Sequence, residues 1–225
     1  MQPVLSARQY YRAYRRQIRG YATFKRVCDA AIAVVLLVVL SPVLLILAAV
    51  CALNTKASPL FTQWRMGRYN TPFKCYKFRT MHPSAPDNVA TCKLECAENY
   101  ISPLGGLLRR LSLDELPQLF NIIKGDMSFI GPRPVVLSET ELLNMRVRTR
   151  AIIVRPGMTG WAQIHGRDEM EIKDKADYDG YYARRISFKL DCAIFFKSIL
   201  CVASAKGVRE GASPVPAARM EERSA

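Results

Sequence analysis

The stretch Leu108-Arg-Arg-Leu-Ser-Leu-Asp-Glu-Leu-Pro-Gln-Leu-Phe-Asn121 centres on an adjacent acid pair, Asp114-Glu115. Arg109 and Arg110 lie just upstream, and Lys124-Gly-Asp-Met-Ser-Phe-Ile-Gly-Pro-Arg-Pro134 follows. Ser112 and Glu115 stand at the spacing of a capping box. Leu116, Leu119, Phe120 and Ile123 then continue as a helical stripe. The spacing therefore predicts a helix that opens near Ser112, with two carboxylates stabilised as anions by its N-terminal dipole. Two readings follow from these residues. One is a well-capped core helix. The other is a carboxylate nucleophile or metal ligand beside phosphate-binding arginines.

Upstream, Ala30 to Leu53 is a run without a charged side chain, rich in Val, Leu, Ile and Ala. Its length suffices to cross a hydrocarbon core of about 30 Å as a straight helix. It is too long and starts too late for a secretory signal peptide, and no clear cleavage site follows it. Ser41-Pro42 falls in its middle, where proline removes a donor and clashes with the preceding turn. Arg8, Arg12, Arg15, Arg16, Arg19, Lys25 and Arg26 precede the run, and Lys56, Arg65, Arg68, Lys74, Lys77 and Arg79 follow it. Cationic flanks favour the cytoplasmic side. One straight span cannot put both flanks there, whereas a helix broken at Ser41-Pro42 that dips in and returns can. Ser41 can satisfy a freed carbonyl at the break.

The formal net charge is +14. Most of it lies before residue 87, where Asp29 is the sole acid. Such polarity points to a polyanionic partner, either nucleic acid or an anionic membrane face. The seven cysteines are scattered and odd in number, which fits reduced thiols. Cys92 and Cys96 can share a helix face but lack two further soft ligands for zinc.

Downstream of the run, Leu60–Gln63 and Phe73–Phe78 alternate as strands of a cation-rich hairpin, with Asn70 tolerant of left-handed backbone in the turn. Helices are expected near Lys93–Asn99, from about Gly105, over Ser138–Ala151, over Asp174–Arg184 and over Phe188–Ala203. The last of these suits a membrane surface or a packed core equally. Gly131-Pro-Arg-Pro134 is a rigid turn that fixes Arg133. Arg155-Pro-Gly-Met-Thr-Gly-Trp-Ala-Gln-Ile-His-Gly-Arg167 is a glycine-rich loop leading into a short strand, by itself weak support for phosphate binding. No repeated βα alternation is present, so a doubly wound sheet is not expected. The fold class is α+β: a mostly helical, membrane-associated globular domain with a short β-hairpin, anchored by a re-entrant broken helix. The expected divisions are a basic segment 1–21, a re-entrant helix-break-helix 22–57, a catalytic domain 58–205 at the membrane surface, and a disordered tail 206–225.

The ordered set of blocks resembles the bacterial sugar transferases that act on polyprenyl phosphate, the monotopic phosphoglycosyl transferases. The blocks are the basic start, the Ser-Pro-broken run, Tyr76-Lys-Phe-Arg-Thr-Met81, Leu108–Asn121, Gly131-Pro-Arg-Pro134 and Arg155-Pro-Gly-Met-Thr-Gly-Trp-Ala-Gln163. The resemblance covers about residues 22–203 and fits the minimal form, without the additional transmembrane region of larger relatives. It implies transfer of sugar-1-phosphate from a UDP-sugar to undecaprenyl phosphate, giving undecaprenyl-diphosphate-sugar and UMP with Mg²⁺ as cofactor. That is the first membrane step of a bacterial glycan pathway. It also implies that Asp114 is the nucleophile, that Glu115 is its partner, and that both serve as metal ligands. Arg109, Arg133 and Arg167 would bind phosphate. The implied location is the cytoplasmic face of the bacterial inner membrane, among anionic lipids, with no nucleic acid partner and with room for a homo-oligomer. Asn70 replaces the glycine common in relatives, and His165 stands where asparagine is common.

Two rival readings remain on composition alone. A non-enzymatic membrane scaffold accounts for charge and anchor but gives no role to the ordered Asp114, Arg133 and Arg167 blocks. A nucleic-acid-binding protein accounts for the charge but not for the apolar run.

Overall fold

The computed structural model describes residues 7–86, 99–166 and 170–203, with backbone alone for 7–19 and 202–203. The expected helix near Lys93–Asn99 falls almost wholly outside these residues. Arg167, Cys92, Cys96 and the tail 206–225 lie outside them entirely.

Helix α1 (Ala7–Val39) runs without interruption from the basic start into the apolar run. Leu40 forms a turn, and α2 (Ser41–Thr55) begins immediately after it with Pro42 in its first turn. Proline is well placed there, because the first amides of a helix lack intrahelical acceptors. The two arms are bent by 68°. As expected at such a break, Ser41 Oγ donates to the Val38 carbonyl at 2.8 Å. Among the described residues no single helix is long and apolar enough to cross a membrane. Much of the bent pair is nevertheless bare, with Val35, Val38, Val39, Leu45, Ile46 and Leu53 exposed.

Strands β1 (Leu60–Met66) and β2 (Pro72–Phe78) form the predicted antiparallel hairpin, with Gln63 opposite Cys75. Its tip places both Tyr69 and Asn70 at positive φ. Helix α3 (Pro103–Arg110) starts on a well-formed cap, where Ser102 Oγ accepts from the Gly105 amide at 2.9 Å. The short helix α4 (Gln118–Lys124) ends at Gly125, whose φ of 92° suits glycine. Strand β3 (Ser128–Ile130) pairs in parallel with β4 (Gly157–Thr159). Helices α5 (Thr140–Thr149), α6 (Ile172–Arg185) and α7 (Phe188–Ala203) complete the chain. The result is the expected α+β architecture, with a second, parallel strand pair added.

Both arms of the bent helix dock on the same globular body. Ala33 of α1 is buried with Phe73, Cys75, Leu119, Ile122 and Met127. Leu47 and Cys51 of α2 pack with Phe78 and Leu108. Helix α7 buries Ile194 completely but leaves Phe195, Phe196, Ile199 and Leu200 exposed. A packed core helix therefore describes only one of its faces.

The glycine-rich loop serves packing. A Cβ on Gly131 would lie 2.2 Å from the Arg155 carbonyl oxygen, and one on Gly157 would lie 2.1 Å from the Gly131 amide nitrogen. Only glycine lets the Gly131–Pro134 turn and the Arg155–Gly160 loop approach so closely.

Candidate functional site

Three segments bring the acid pair and its cations together. Strand β2 supplies Lys77, a 3₁₀ turn over Leu113–Glu115 supplies Asp114 and Glu115, and the Pro132-Arg133-Pro134 turn supplies Arg133. Glu115 Oε1 accepts from Lys77 Nζ at 2.7 Å and from Arg133 at 3.1 Å. Burial by itself would raise the Glu115 carboxyl. Lys77 and Arg133 overcome that and hold it well below the usual carboxylate range.

The capping box does not form. Ser112 has φ 56°, makes no side-chain cap, and the α-helix starts only after Pro117. The Glu115 side chain is drawn instead to two cations, whose charge-assisted bonds outweigh one cap. The acid pair thus sits in a turn before a short helix and does not rely on a helix dipole.

Asp114 is the contrasting carboxylate. It is 5% exposed. Among the described residues no hydrogen-bond donor reaches its carboxylate. Burial pushes its pKa up. Lys77, Arg109 and Arg133 oppose that shift, while the charge on Glu115 adds to it. Burial thus outweighs the nearby cations and shifts the Asp114 carboxyl upward, opposite in direction to Glu115. Arg109, on the last turn of α3, is near enough to act on Asp114 electrostatically. The structure thus gathers Arg109, Asp114, Glu115 and Arg133 at one place.

The donor set fits Mg²⁺ in its usual style. Magnesium takes one or two carboxylates and completes its shell with water and substrate phosphates. Asp114 offers an unengaged carboxylate, and Glu115 has its second oxygen. Among the described residues no cluster of three or more His, Cys, Asp or Glu side chains forms a dedicated cage.

Arg133 is held from behind. Arg146 of α5 donates to the Arg133 carbonyl at 2.9 Å and is itself gripped by Asp179 of α6 at 2.6 Å. Arg65 donates to the Pro134 carbonyl at 3.2 Å. The turn's main chain is thus fixed, while the Arg133 side chain remains 39% exposed.

Sequence reading assigned no site role to Lys77, Arg146 or Asn121. Lys77 stood inside a quoted block, but its partner lies 38 positions away. Asn121 is completely buried. Its amide donates to the Lys74 carbonyl at 2.7 Å and accepts from the Tyr76 amide at 3.0 Å. This side chain pairs with the free edge of β2 as a neighbouring strand would. It ties the strand carrying Lys77 to the helix that follows Asp114-Glu115. Asn121→Ala leaves that edge unpaired and should cost about 1–3 kcal/mol, read by thermal or denaturant unfolding. Unchanged stability would remove the clasp from this account. In the sequence Asn121 shows only as a polar residue beside the apolar stripe of Leu119, Phe120 and Ile123, and that does not name a partner.

Comparison with known proteins agrees with the ordered blocks. Residues 20–205 match the family described as bacterial sugar transferase. The chain is 36% identical over 194 residues to UDP-N-acetylgalactosamine-undecaprenyl-phosphate N-acetylgalactosaminephosphotransferase of Aeromonas hydrophila. That match covers 84% of this chain and 46% of the relative. Identity is likewise 36% to the exopolysaccharide production protein ExoY of Sinorhizobium fredii, covering 81% of this chain and 87% of the relative. It is 35% to the UDP-glucose:undecaprenyl-phosphate glucose-1-phosphate transferase of Escherichia coli, covering 78% and 39%. The chain thus spans less than half the length of the Aeromonas and Escherichia relatives and most of the length of ExoY. With a family match over most of its length and the family's motifs converging on one site, the chain belongs to the bacterial sugar transferases.

Proposed function

We propose that the protein transfers sugar-1-phosphate from a UDP-sugar to undecaprenyl phosphate at a membrane surface, through a covalent intermediate on Asp114. The observation that carries this reading is the contrast within the acid pair. Glu115 is tied to Lys77 and Arg133, whereas Asp114 has a carboxylate that no described donor engages. A nucleophile must be available, and its neighbour must hold the cations in place.

In the first step an Asp114 oxygen attacks the sugar-bearing phosphorus. A new carboxylate–phosphorus bond forms, the bridging P–O bond breaks, and UMP leaves with the electron pair. In the second step an oxygen of the lipid phosphate attacks the same phosphorus. The acyl–phosphate bond breaks, and Asp114 regains its charge. Arg133 and Arg109 counter the phosphate charge, and Lys77 with Arg133 keeps Glu115 anionic and fixed. When bound at Asp114 and Glu115, Mg²⁺ would neutralise diphosphate charge. Arg167 keeps its proposed phosphate role on the resemblance alone. The test is nucleoside-monophosphate release from a panel of UDP-sugars with undecaprenyl phosphate. No release with any member would remove the reading.

Arg133→Lys should lower turnover by about 10–100-fold while leaving stability unchanged, since lysine keeps the charge but loses the planar fork. Steady-state assay and unfolding of the same sample check this. Full activity would take Arg133 out of the reaction.

We also propose that α1 and α2 re-enter the membrane and that the catalytic domain lies on the cytoplasmic face. One globular body holds both arms, which favours both ends on one side. At 1.5 Å per residue α2 is about 22 Å long. Arms sharing the 68° bend symmetrically reach about 12 Å below their ends, within one leaflet of about 15 Å. Cysteines placed at Arg12 and Thr71, with the native cysteines replaced, should label from the same side in sealed vesicles. Opposite sides would mean a spanning helix.

A further inference from the structure

A cavity lies at the end of α4 remote from the acid pair. It is lined by Lys25, Arg26 and Asp29 of α1, by Arg68 of the hairpin tip, by Arg155, and by apolar residues such as Ile130 and Ile153, and it is a small space of ≈ 30 Å³ behind an open mouth. Its three arginines donate to main-chain carbonyls. Arg26 donates to the Ile122 and Ile123 carbonyls at 2.5 and 2.7 Å. Arg155 Nε donates to the Gly125 carbonyl at 2.8 Å, and Arg68 Nε to the Ile153 carbonyl at 2.6 Å.

Capping the end of α4 explains where Arg26 and Arg155 point. It does not neutralise them, because a carbonyl carries only a partial charge. Lys25 is matched by Asp191 at 2.8 Å, and Asp29 is engaged by Ser128 Oγ at 2.6 Å and by Lys25 at 3.6 Å. Among the described residues neither Arg26 nor Arg155 has a carboxylate partner within ion-pair distance. Burial lowers the Arg155 pKa and Arg68 and Arg26 lower it further, while Asp29 and Tyr69 oppose them only in part, so the guanidiniums repel one another across the cavity. Like charges held together around an open cavity are relieved by an anion with several oxygens.

The position selects the kind of anion. Arg26 lies one helical turn before Ala30, where the uncharged run starts. If that run enters the bilayer, Arg26 stands at headgroup depth. The seven residues of α4 separate the cavity from the Asp114 turn by roughly 10 Å. A phosphate in the cavity is therefore not the one attacked at Asp114. We propose that Arg26, Arg68 and Arg155 clamp the phosphodiester of one anionic bilayer lipid, fixing the depth of the catalytic domain at the membrane. This rests on the membrane placement proposed above and not on the assignment of Asp114.

The test uses the full chain in lipid nanodiscs, followed by native mass spectrometry after transfer to detergent. In discs containing phosphatidylglycerol, the wild type should retain one phosphatidylglycerol per chain. In discs of phosphatidylcholine alone, whose phosphodiester is countered by the choline cation, it should retain markedly less lipid. Arg68→Gln/Arg155→Gln removes two charge-assisted contacts and should reduce retention on the order of tenfold or more. A second arm adds inorganic phosphate to phosphatidylcholine discs and reads thermal unfolding. Stabilisation there, lost in the double variant, with no retained lipid on the wild type, would assign the cavity to a soluble phosphate and overturn the lipid proposal. Absence of retained phosphatidylglycerol from the wild type also overturns it, whatever the fold of the variant. Solubility of the chain without detergent or lipid would sink the membrane placement itself, a distinct failure.

Discussion

Replacing Asp114 with asparagine should lower sugar-phosphate transfer by at least about a thousandfold, the scale on which a covalent nucleophile is lost. The fold should survive. Asp114 is buried, no described donor engages its carboxylate, and burial raises its pKa. An acid whose folded pKa is raised destabilises the protein as pH climbs through that pKa, so a neutral side chain of the same shape should leave stability at neutral pH equal or higher. The same sign governs the rate. Asp114 must be ionised to attack, so kcat/KM for the UDP-sugar should rise with pH through a value above the ordinary aspartate range. Wild-type protein given radiolabelled UDP-sugar and no lipid should release one equivalent of UMP and carry the label, and Asp114→Asn should carry none. UMP release that requires lipid phosphate, with no protein-bound label, would favour direct transfer and leave Asp114 as a metal ligand only.

Breaking the Arg146–Asp179 pair should be strongly destabilising, costing about 3–5 kcal/mol. The pair is nearly inaccessible, with side chains 6% and 1% exposed, and Arg146 reaches Asp179 through two nitrogens. Asp179 Oδ1 has no partner of its own. Burial accordingly raises the Asp179 pKa in spite of Arg146. Either Arg146→Met or Asp179→Leu strands the other charge. The double variant should recover most of the stability, because a packed apolar pair replaces a buried ion pair at little cost. It should not recover activity, since the Arg133 carbonyl loses the donor that fixes its turn. Denaturant unfolding of the three variants checks the first part, and turnover checks the second. Single variants within about 1 kcal/mol of wild type, below the range expected of a broken buried pair, would show the pair to be dispensable.

Elements encoded by local chemistry were legible in the chain. Pro42 cannot donate, and Ser41 can bond back, so the helix break lay in the residues themselves. The hairpin followed from alternation around a turn, and α6 and α7 followed from periodicity. The acid pair and the arginine-bearing turn were likewise visible as blocks, and their order identified the family. Other features depended on distant partners. Glu115 leaves its local cap because cations 38 and 18 positions away reach it. Arg146, Asp179 and Asn121 hold the site through contacts that no spacing encodes. The close approach of Gly131 to Gly157 and Gly160 is likewise a contact between segments that no spacing encodes. The physical reason is one of magnitude. A cap is worth about 1 kcal/mol, whereas buried charge-assisted bonds each contribute about 1.5–3 kcal/mol, so the tertiary fold decides wherever the two compete.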